Sequence, residues 1–306
     1  MANGTKKTMR KDKTTLLKRA RQKYISYGLS SKLNSDNPDS PLKESYFGSM
    51  LCCDVIRQEG IKLQTSYCNQ RWCLVCNRIR TARLISGYLS QIQSFKDPYF
   101  VTLTKKTVYA HDLPSSMAFM AVTWRKITDM ARKSRIDFKG VRKAECTIRP
   151  YDKYHYHFHL VIEGKENAEW LISRWVKMMK GAADPQAQDM RVADDNSLKE
   201  LFKYFTKLTT KNPEGKKVMF DTKRMDVIFQ AMKGKRVFQP FGGLRIVTEE
   251  IEKIIGEEYE HLDGEFHLWK WHTEDWINEL GECLTGYTPT EGFGDIIAPS
   301  NASGSN

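Results

Sequence analysis

The sequence predicts an α+β chain: an antiparallel central sheet with flanking helices, plus a small N-terminal zinc module. Three observations carry this. Residues 141–149 and 154–162 alternate apolar and polar side chains with the period of two expected of half-buried strands. Helical periodicity marks the segments around them. Cys52, Cys53, Cys68, Cys73 and Cys76 crowd together ahead of residue 77.

The 306 residues are 40% hydrophobic, enough for one large core or two modest domains. No apolar run approaches the roughly 20 residues of a membrane helix. The N-terminus is basic and lacks the apolar stretch of a secretory signal, so a soluble, cytoplasmic protein is expected. The net charge of +12 is uneven. Residues 248–306 hold 14 Asp/Glu and two Lys/Arg, whereas residues 1–247 hold 47 Lys/Arg against 23 Asp/Glu. So positive a field favours a polyanionic partner. Seven cysteines and no export signal argue against a disulfide scaffold.

Residues 1–45 read as a basic N-terminal arm, a short helix or a mobile segment. Residues 46–95 read as a zinc-binding module with a connecting helix over 80–92, whose apolar side carries Leu84, Ile85, Tyr88, Leu89 and Ile92. The main α+β domain is expected over 96–247. Within it, a strand at 100–104 precedes a helix capped by Ser115 or Ser116 and running to about 131. The two alternating strands follow. An amphipathic helix over 167–180 then buries Trp170, Leu171, Trp175 and Met178, and another helix covers 197–208. Residues 248–306 form an acidic C-terminal extension. Asp263-Gly264 there signals a hairpin, Thr273 should cap a last helix, and the final dozen residues look disordered.

The segment from Tyr154 to Ile162 is the most informative. Tyr156, Phe158, Leu160 and Ile162 take one strand face; His155, His157 and His159 take the other. Imidazoles so placed can converge on a divalent cation. On the preceding strand Ala144, Cys146 and Ile148 are apolar, while Glu145 and Thr147 share the other face. Antiparallel pairing would bring Glu145 beside His157 and His159. Two His and one carboxylate leave coordination positions open for a phosphate oxygen. The plain alternative is a polar strand face with surface histidines; the catalytic one is a hydrolytic site that activates water.

Ser197-Leu198-Lys199-Glu200 fits a capping box. At about 100° per residue, Leu198, Leu201, Phe202, Phe205 and Leu208 form the apolar side. Glu200, Lys203, Tyr204 and Lys207 form the polar side. A phenol with a pKa of about 10 is a weak nucleophile at neutral pH, and Lys203 and Lys207 can stabilise its anion. The alternatives are a half-exposed tyrosine on an ordinary helix and a capping role for Glu200.

Cys68, Cys73 and Cys76 have knuckle-like spacing, and Cys52 or Cys53 supplies a fourth thiol across a loop of 15 or 14 residues. Four thiolates suit structural zinc and leave no open position for catalysis. The alternative is buried reduced thiols. Arg71, Arg78, Arg80 and Arg83 would give this module a basic, DNA-binding surface.

In order and spacing these motifs resemble those of plasmid rolling-circle replication initiators of the HUH endonuclease superfamily, in the branch with an N-terminal cysteine knuckle. Cys68/Cys73/Cys76 matches the knuckle, and Phe100-Val-Thr-Leu-Thr104 matches the strand that follows it. His157-Phe158-His159 matches the His-hydrophobic-His motif, Glu145 the acidic residue before it, and Glu200-Leu-Phe-Lys203-Tyr204 the nucleophile motif. The match spans roughly residues 50–210. Tyr156 and Leu74 stand where the family often has proline, neither at a ligand position.

The resemblance implies that Glu145, His157 and His159, with His155 as a further candidate, hold Mg²⁺ or Mn²⁺. It implies that Tyr204 attacks an origin phosphate in a single strand or extruded hairpin. The products are a 5′-phosphotyrosine and a free 3′-hydroxyl primer, and Glu200 activates water in a later step. Zn²⁺ is implied at the cysteines. The implied partners are plasmid origin DNA and a host helicase and polymerase; a homodimer is a further candidate that the sequence does not decide, and no membrane partner is expected. Two other classes compete: a relaxase or single-strand transposase, and a non-catalytic zinc-containing DNA-binding regulator. The regulator accounts for the charge and cysteines but not for the Glu–His–Tyr set.

Overall fold

The computed structural model describes residues 5–10, 13–60, 62–202, 209–211, 217–219, 221–246 and 264–289. In chain order its elements are β1 (Thr5–Arg10), α1 (Lys13–Asp36), α2 (Lys43–Met50), β2 (Val55–Glu59), β3 (Lys62–Tyr67), α3 (Leu74–Gln93), β4 (Pro98–Leu103) and β5 (Val108–Tyr109). Then come α4 (Leu113–Lys133), β6 (Gly140–Arg149), β7 (Lys153–Glu163), α5 (Lys165–Met178), β8 (Asp189–Val192) and α6 (Asp195–Phe202). The last are β9 (Thr209–Lys211), β10 (Lys217–Met219), α7 (Thr222–Met232), β11 (Phe238–Phe241), β12 (Glu265–Lys270) and β13 (Asp275–Ile277).

The chain divides into two compact units. The first comprises Met1–Ala82, Thr209–Asp226 and Ile251–Asn306; the second comprises Arg83–Leu208 and Val227–Glu250.

The second unit is the antiparallel α+β body. Its sheet runs β11-β6-β7-β4-β8, with β5 added against β7, so the histidine strand is central. β6 and β7 pair antiparallel along ten residues, from Gly140 opposite Ile162 to Arg149 opposite Lys153. Phe158, Leu160 and Ile162 are fully buried on one face, against α4 and α5. Trp175 of α5 packs edge-on to Phe158 and donates its indole N–H to the Thr104 carbonyl (2.9 Å).

The histidine face is not polar throughout. Phe100, Val141 and Val161 lie at its other end and form a core with Tyr88 and Ile92 of α3 and Leu198 and Leu201 of α6. Both sheet faces are therefore covered, and β6 is buried along nearly its whole length. One apolar patch seats α6 beside the histidines.

The first unit has its own sheet, β1-β3-β2-β12-β13. Its core joins Leu16, Ala20 and Tyr24 of α1 to Ile56, Leu63, Trp269 and Trp276. The buried Lys23 crosses from α1 and donates to the carbonyls of Met50 (2.6 Å) and Cys52 (2.9 Å), pairing also with Asp54 (3.1 Å).

Several local expectations differ from the structure. On α5, Leu171 and Trp175 are buried, but Trp170 and Met178 are only half-buried. Residues 13–36 form a long helix with a buried face rather than a short one, because α1 packs on the first sheet. α4 begins at Leu113, ahead of both serines, because a 3₁₀ turn over Ala110–Asp112 leads directly into it. No helix follows Thr273 among the described residues; a 3₁₀ turn and β13 stand there. Asp275 explains this last difference. It is fully buried, and its carboxylate accepts hydrogen bonds from the backbone N–H of Trp276, Thr285 and Gly286 and from the Thr285 hydroxyl. These bonds, with Trp276 buried edge-on against Trp269, outweigh helix propensity. Gly264 serves close approach: a Cβ there would overlap the Gln58 carbonyl oxygen of β2. The other half of the expected hairpin, including Asp263, lies outside the described residues, as does the C-terminal dozen. Among the described residues no helix is long and apolar enough to cross a membrane.

Asp275→Ala strands several buried donors, so it should cost about 2–4 kcal/mol of stability. Chemical denaturation followed by tryptophan fluorescence checks this; a loss below about 0.5 kcal/mol, the usual size for a surface change, would contradict it.

Candidate metal centres

The antiparallel register sets Glu145 opposite His157, Lys143 opposite His159 and Thr147 opposite His155. β4 adds Thr102 opposite His159. Odd-numbered residues of β6 and β7 share a face, so these side chains converge there. One ligand atom from each of Glu145, His157 and His159 lies within 4.8 Å of the others. The two imidazole Nε2 atoms are 3.2 Å apart, and His159 Nε2 is 3.7 Å from Glu145 Oε2. Adjacent ligands of an octahedral ion with 2.0–2.1 Å bonds are about 3.0 Å apart, so a small hard cation fits with little adjustment.

The outer partners fix the rings. His157 Nδ1–H donates to the His155 carbonyl (3.2 Å), and His159 Nδ1 lies 3.2 Å from Thr102 Oγ1. A carbonyl can only accept, so Nδ1 carries the His157 proton and its Nε2 keeps the lone pair a metal needs. Burial, helped by the neighbouring His159, pushes the His157 pKa down to about 3, so the ring is neutral near pH 7. His155 is lowered to about 4, again by burial, but it does not join the group.

Lys143 is the residue the sequence reading missed. It is 1% exposed, and its ammonium donates to Glu145 Oε2 (2.9 Å) and to the Glu200 carbonyl (3.0 Å). It thus pins the carboxylate of the candidate centre to the backbone of α6. The period of two places it on the Glu145 face, which was the available signal.

The capping assignment also changes. Asp194 caps α6: its carboxylate accepts from Ser197 N–H (2.8 Å), and Ser197 Oγ accepts from Asp194 N–H (3.2 Å). The reciprocal pair starts three residues earlier than expected and does not use Glu200. Lys203, Tyr204 and Lys207 lie outside the described residues.

In the first unit, Cys52, Cys68, Cys73 and Cys76 form a second group. Cys52 Sγ is 3.5 Å and Cys68 Sγ 3.7 Å from Cys76 Sγ. Four sulfurs at 2.3 Å around a tetrahedral ion sit about 3.8 Å apart, so the cluster fits one. Backbone N–H groups of Cys68 and Asn69 point at Cys52 and Cys76 sulfurs, and the Ser26 hydroxyl points at Cys73 Sγ (3.4 Å). Hydrogen bonding, first from Cys52 and then from Cys68 and Cys76, holds the Cys73 thiol well below its usual range. Cys53, whose φ of 58° turns the chain, is fully buried but outside the group, so the fourth candidate ligand is Cys52. Arg71, Arg78 and Arg80 follow or flank this cluster, and Arg80 donates to the Asn69 carbonyl (3.0 Å); Arg83 lies further along α3.

A family model described as Replication protein matches residues 61–265. That is about two thirds of the chain, and the chain belongs to this family. It is a plasmid replication protein, in keeping with a rolling-circle initiator. No curated protein and no solved structure matches it.

Two outcomes test the geometry. Cys52→Ser should lose the metal bound by the cysteines while Cys53→Ser keeps it, as read by elemental analysis; equal loss would reject the assignment. Glu145→Ala should cost about 3–5 kcal/mol because it leaves a buried ammonium uncompensated, whereas Glu145→Gln keeps an acceptor and should cost clearly less. Equal costs would mean that Lys143 is not held by this pair.

Proposed function

We propose that the chain nicks and rejoins one DNA strand at a plasmid origin to start rolling-circle replication. The observation that carries this is the convergence of Glu145, His157 and His159 on one face of the central strand pair, in a chain of the replication-protein family. The second unit is the endonuclease, and the first unit carries the structural zinc module on Cys52, Cys68, Cys73 and Cys76.

Glu145, His157 and His159 would hold Mg²⁺ or Mn²⁺; three ligands leave open positions, and a bound ion supplies Lewis acidity to a phosphate oxygen. Tyr204 is the nucleophile. Its oxygen forms a bond to phosphorus as the P–O3′ bond breaks in line. The phenol loses its proton and the departing 3′ oxygen gains one. The exchange leaves a 5′-phosphotyrosine and a 3′-hydroxyl primer, and conserves the phosphodiester bond for later rejoining. Lys203 and Lys207 stabilise the phenolate by charge. Glu200, which is not part of the Asp194–Ser197 cap, activates water when the product must be hydrolysed free. Lys143 is a positioning residue that sets the Glu145 carboxylate and α6 relative to each other. The basic residues of the chain, Arg71, Arg78, Arg80 and Arg83 among them, favour the DNA backbone.

The test is an origin oligonucleotide incubated with Mn²⁺ and resolved on a denaturing gel. Tyr204→Phe should fold and bind DNA but give neither nick nor protein–DNA adduct. Glu200→Ala should form the first adduct and fail in hydrolytic release. His157→Ala should lower metal-dependent cleavage throughout. An adduct formed by Tyr204→Phe would assign the nucleophile elsewhere. Zinc-loaded protein that binds origin DNA without ever cleaving it would favour a non-catalytic regulator.

A further inference from the structure

The face of the sheet opposite the histidines holds a second polar constellation. Arg142 precedes Lys143 on β6, so its side chain leaves the strand on the other face. There its guanidinium carbon lies 4.1 Å from the centre of the Phe158 ring and 5.1 Å from that of Trp124. Only 5% of the residue is exposed. Nη2 donates to Gln239 Oε1 of β11 (2.8 Å), while Nε and Nη1 are buried with no partner among the described residues. The Trp124 indole N–H is likewise buried and unpartnered. Burial lowers the Arg142 pKa to about 10, which leaves the group charged at neutral pH. Unmet donors on a buried cation are costly in a folded chain, and such groups mark places where something else completes the set.

Arg142 and Trp124 line a pocket of about 610 Å³, within the size range of small-ligand sites. Its rim is the turn joining α7 to β11, which reads Lys233-Gly234-Lys235-Arg236. Gly234 there has a φ of +72°, in the left-handed region that glycine enters freely. Arg125 of α4 adds another cation, and among the described residues no carboxylate lines the pocket. Cations at floor and rim, a forked guanidinium with free N–H groups and aromatic walls together match a phosphate attached to a planar base.

We propose that this pocket is a phosphate-binding site for a nucleotide unit, separate from the candidate metal centre and on the other side of the sheet. Arg142 clasps the phosphate, and Lys235 and Arg236 hold it from the rim. The phosphate can belong to a free nucleotide or to a DNA strand. The inference does not depend on the nicking chemistry.

Calorimetric titration of the full chain, without added divalent metal, tests it with pyrophosphate, dATP and a short single-stranded oligonucleotide lacking the origin sequence. Lys235→Gln/Arg236→Gln changes rim side chains and should leave the fold intact. It should weaken pyrophosphate and dATP binding at least tenfold. Arg142→Gln should do the same where it folds, and His157→Ala should bind both as the parent does. If oligonucleotide affinity falls with that of dATP in the rim variant, the phosphate is a strand phosphate; if it holds while dATP binding is lost, the ligand is a free nucleotide. The proposal is overturned if parent and rim variant bind pyrophosphate and dATP alike, or if His157→Ala loses as much as the rim variant.

Discussion

The register of β6 on β7 is the constraint on which the second unit depends. Glu145 faces His157 and Lys143 faces His159 because the strands pair from Gly140–Ile162 to Arg149–Lys153. A slip of one residue would turn Glu145 to the far face, into the core made by Phe158 and Leu160. Burial of both faces forbids that slip. Apolar packing at the Phe100–Val141–Val161 end and against α4 and α5 on the other side fixes the geometry of a polar cluster that could not fix itself.

Inside that frame Lys143 balances the charge. A carboxylate as buried as Glu145 needs a partner, and the ammonium 2.9 Å away is one that the fold itself supplies. The same ammonium reaches the Glu200 carbonyl, so strand and helix answer to one cation. The two candidate metal centres differ in kind. Four sulfurs from a loop, a strand end and a helix start close around one point and leave no vacancy. The Glu–His–His group supplies three ligands from two neighbouring strands, so a six-coordinate ion held there would keep coordination positions open. Closure suits a structural ion, and openness suits chemistry.

The basic character of residues 1–247 also acquires a shape. Cations are not spread evenly: Arg142 sits nearly sealed beneath the sheet, whereas Lys233, Lys235 and Arg236 ride on a glycine-containing turn. β6 thus sends alternate basic side chains, Arg142 and Lys143, to opposite faces, where they meet different partners.

Period-two alternation was sufficient to find both central strands, their pairing and the Glu145–His157–His159 face, because strand geometry is local and the histidines mark it. Thiol spacing was sufficient for three of the four clustered cysteines. Other features required the tertiary structure. Cys52 and Cys53 are equivalent in sequence, and only the left-handed turn at Cys53 and the anchoring of the Cys52 carbonyl by Lys23 separate them. Asp194 rather than Ser197 caps α6, since both offer suitable oxygens and only the backbone path selects between them. The strand at Asp275 replaced an expected helix because donors ten residues further along the chain gather on its carboxylate. Nothing in the sequence distinguishes Lys143 and Arg142 from other strand cations; burial leaves one paired and the other with donors to spare. Sequence sets local period and residue chemistry, but which polar groups end up paired away from water depends on contacts between segments distant along the chain, and only folding brings those together.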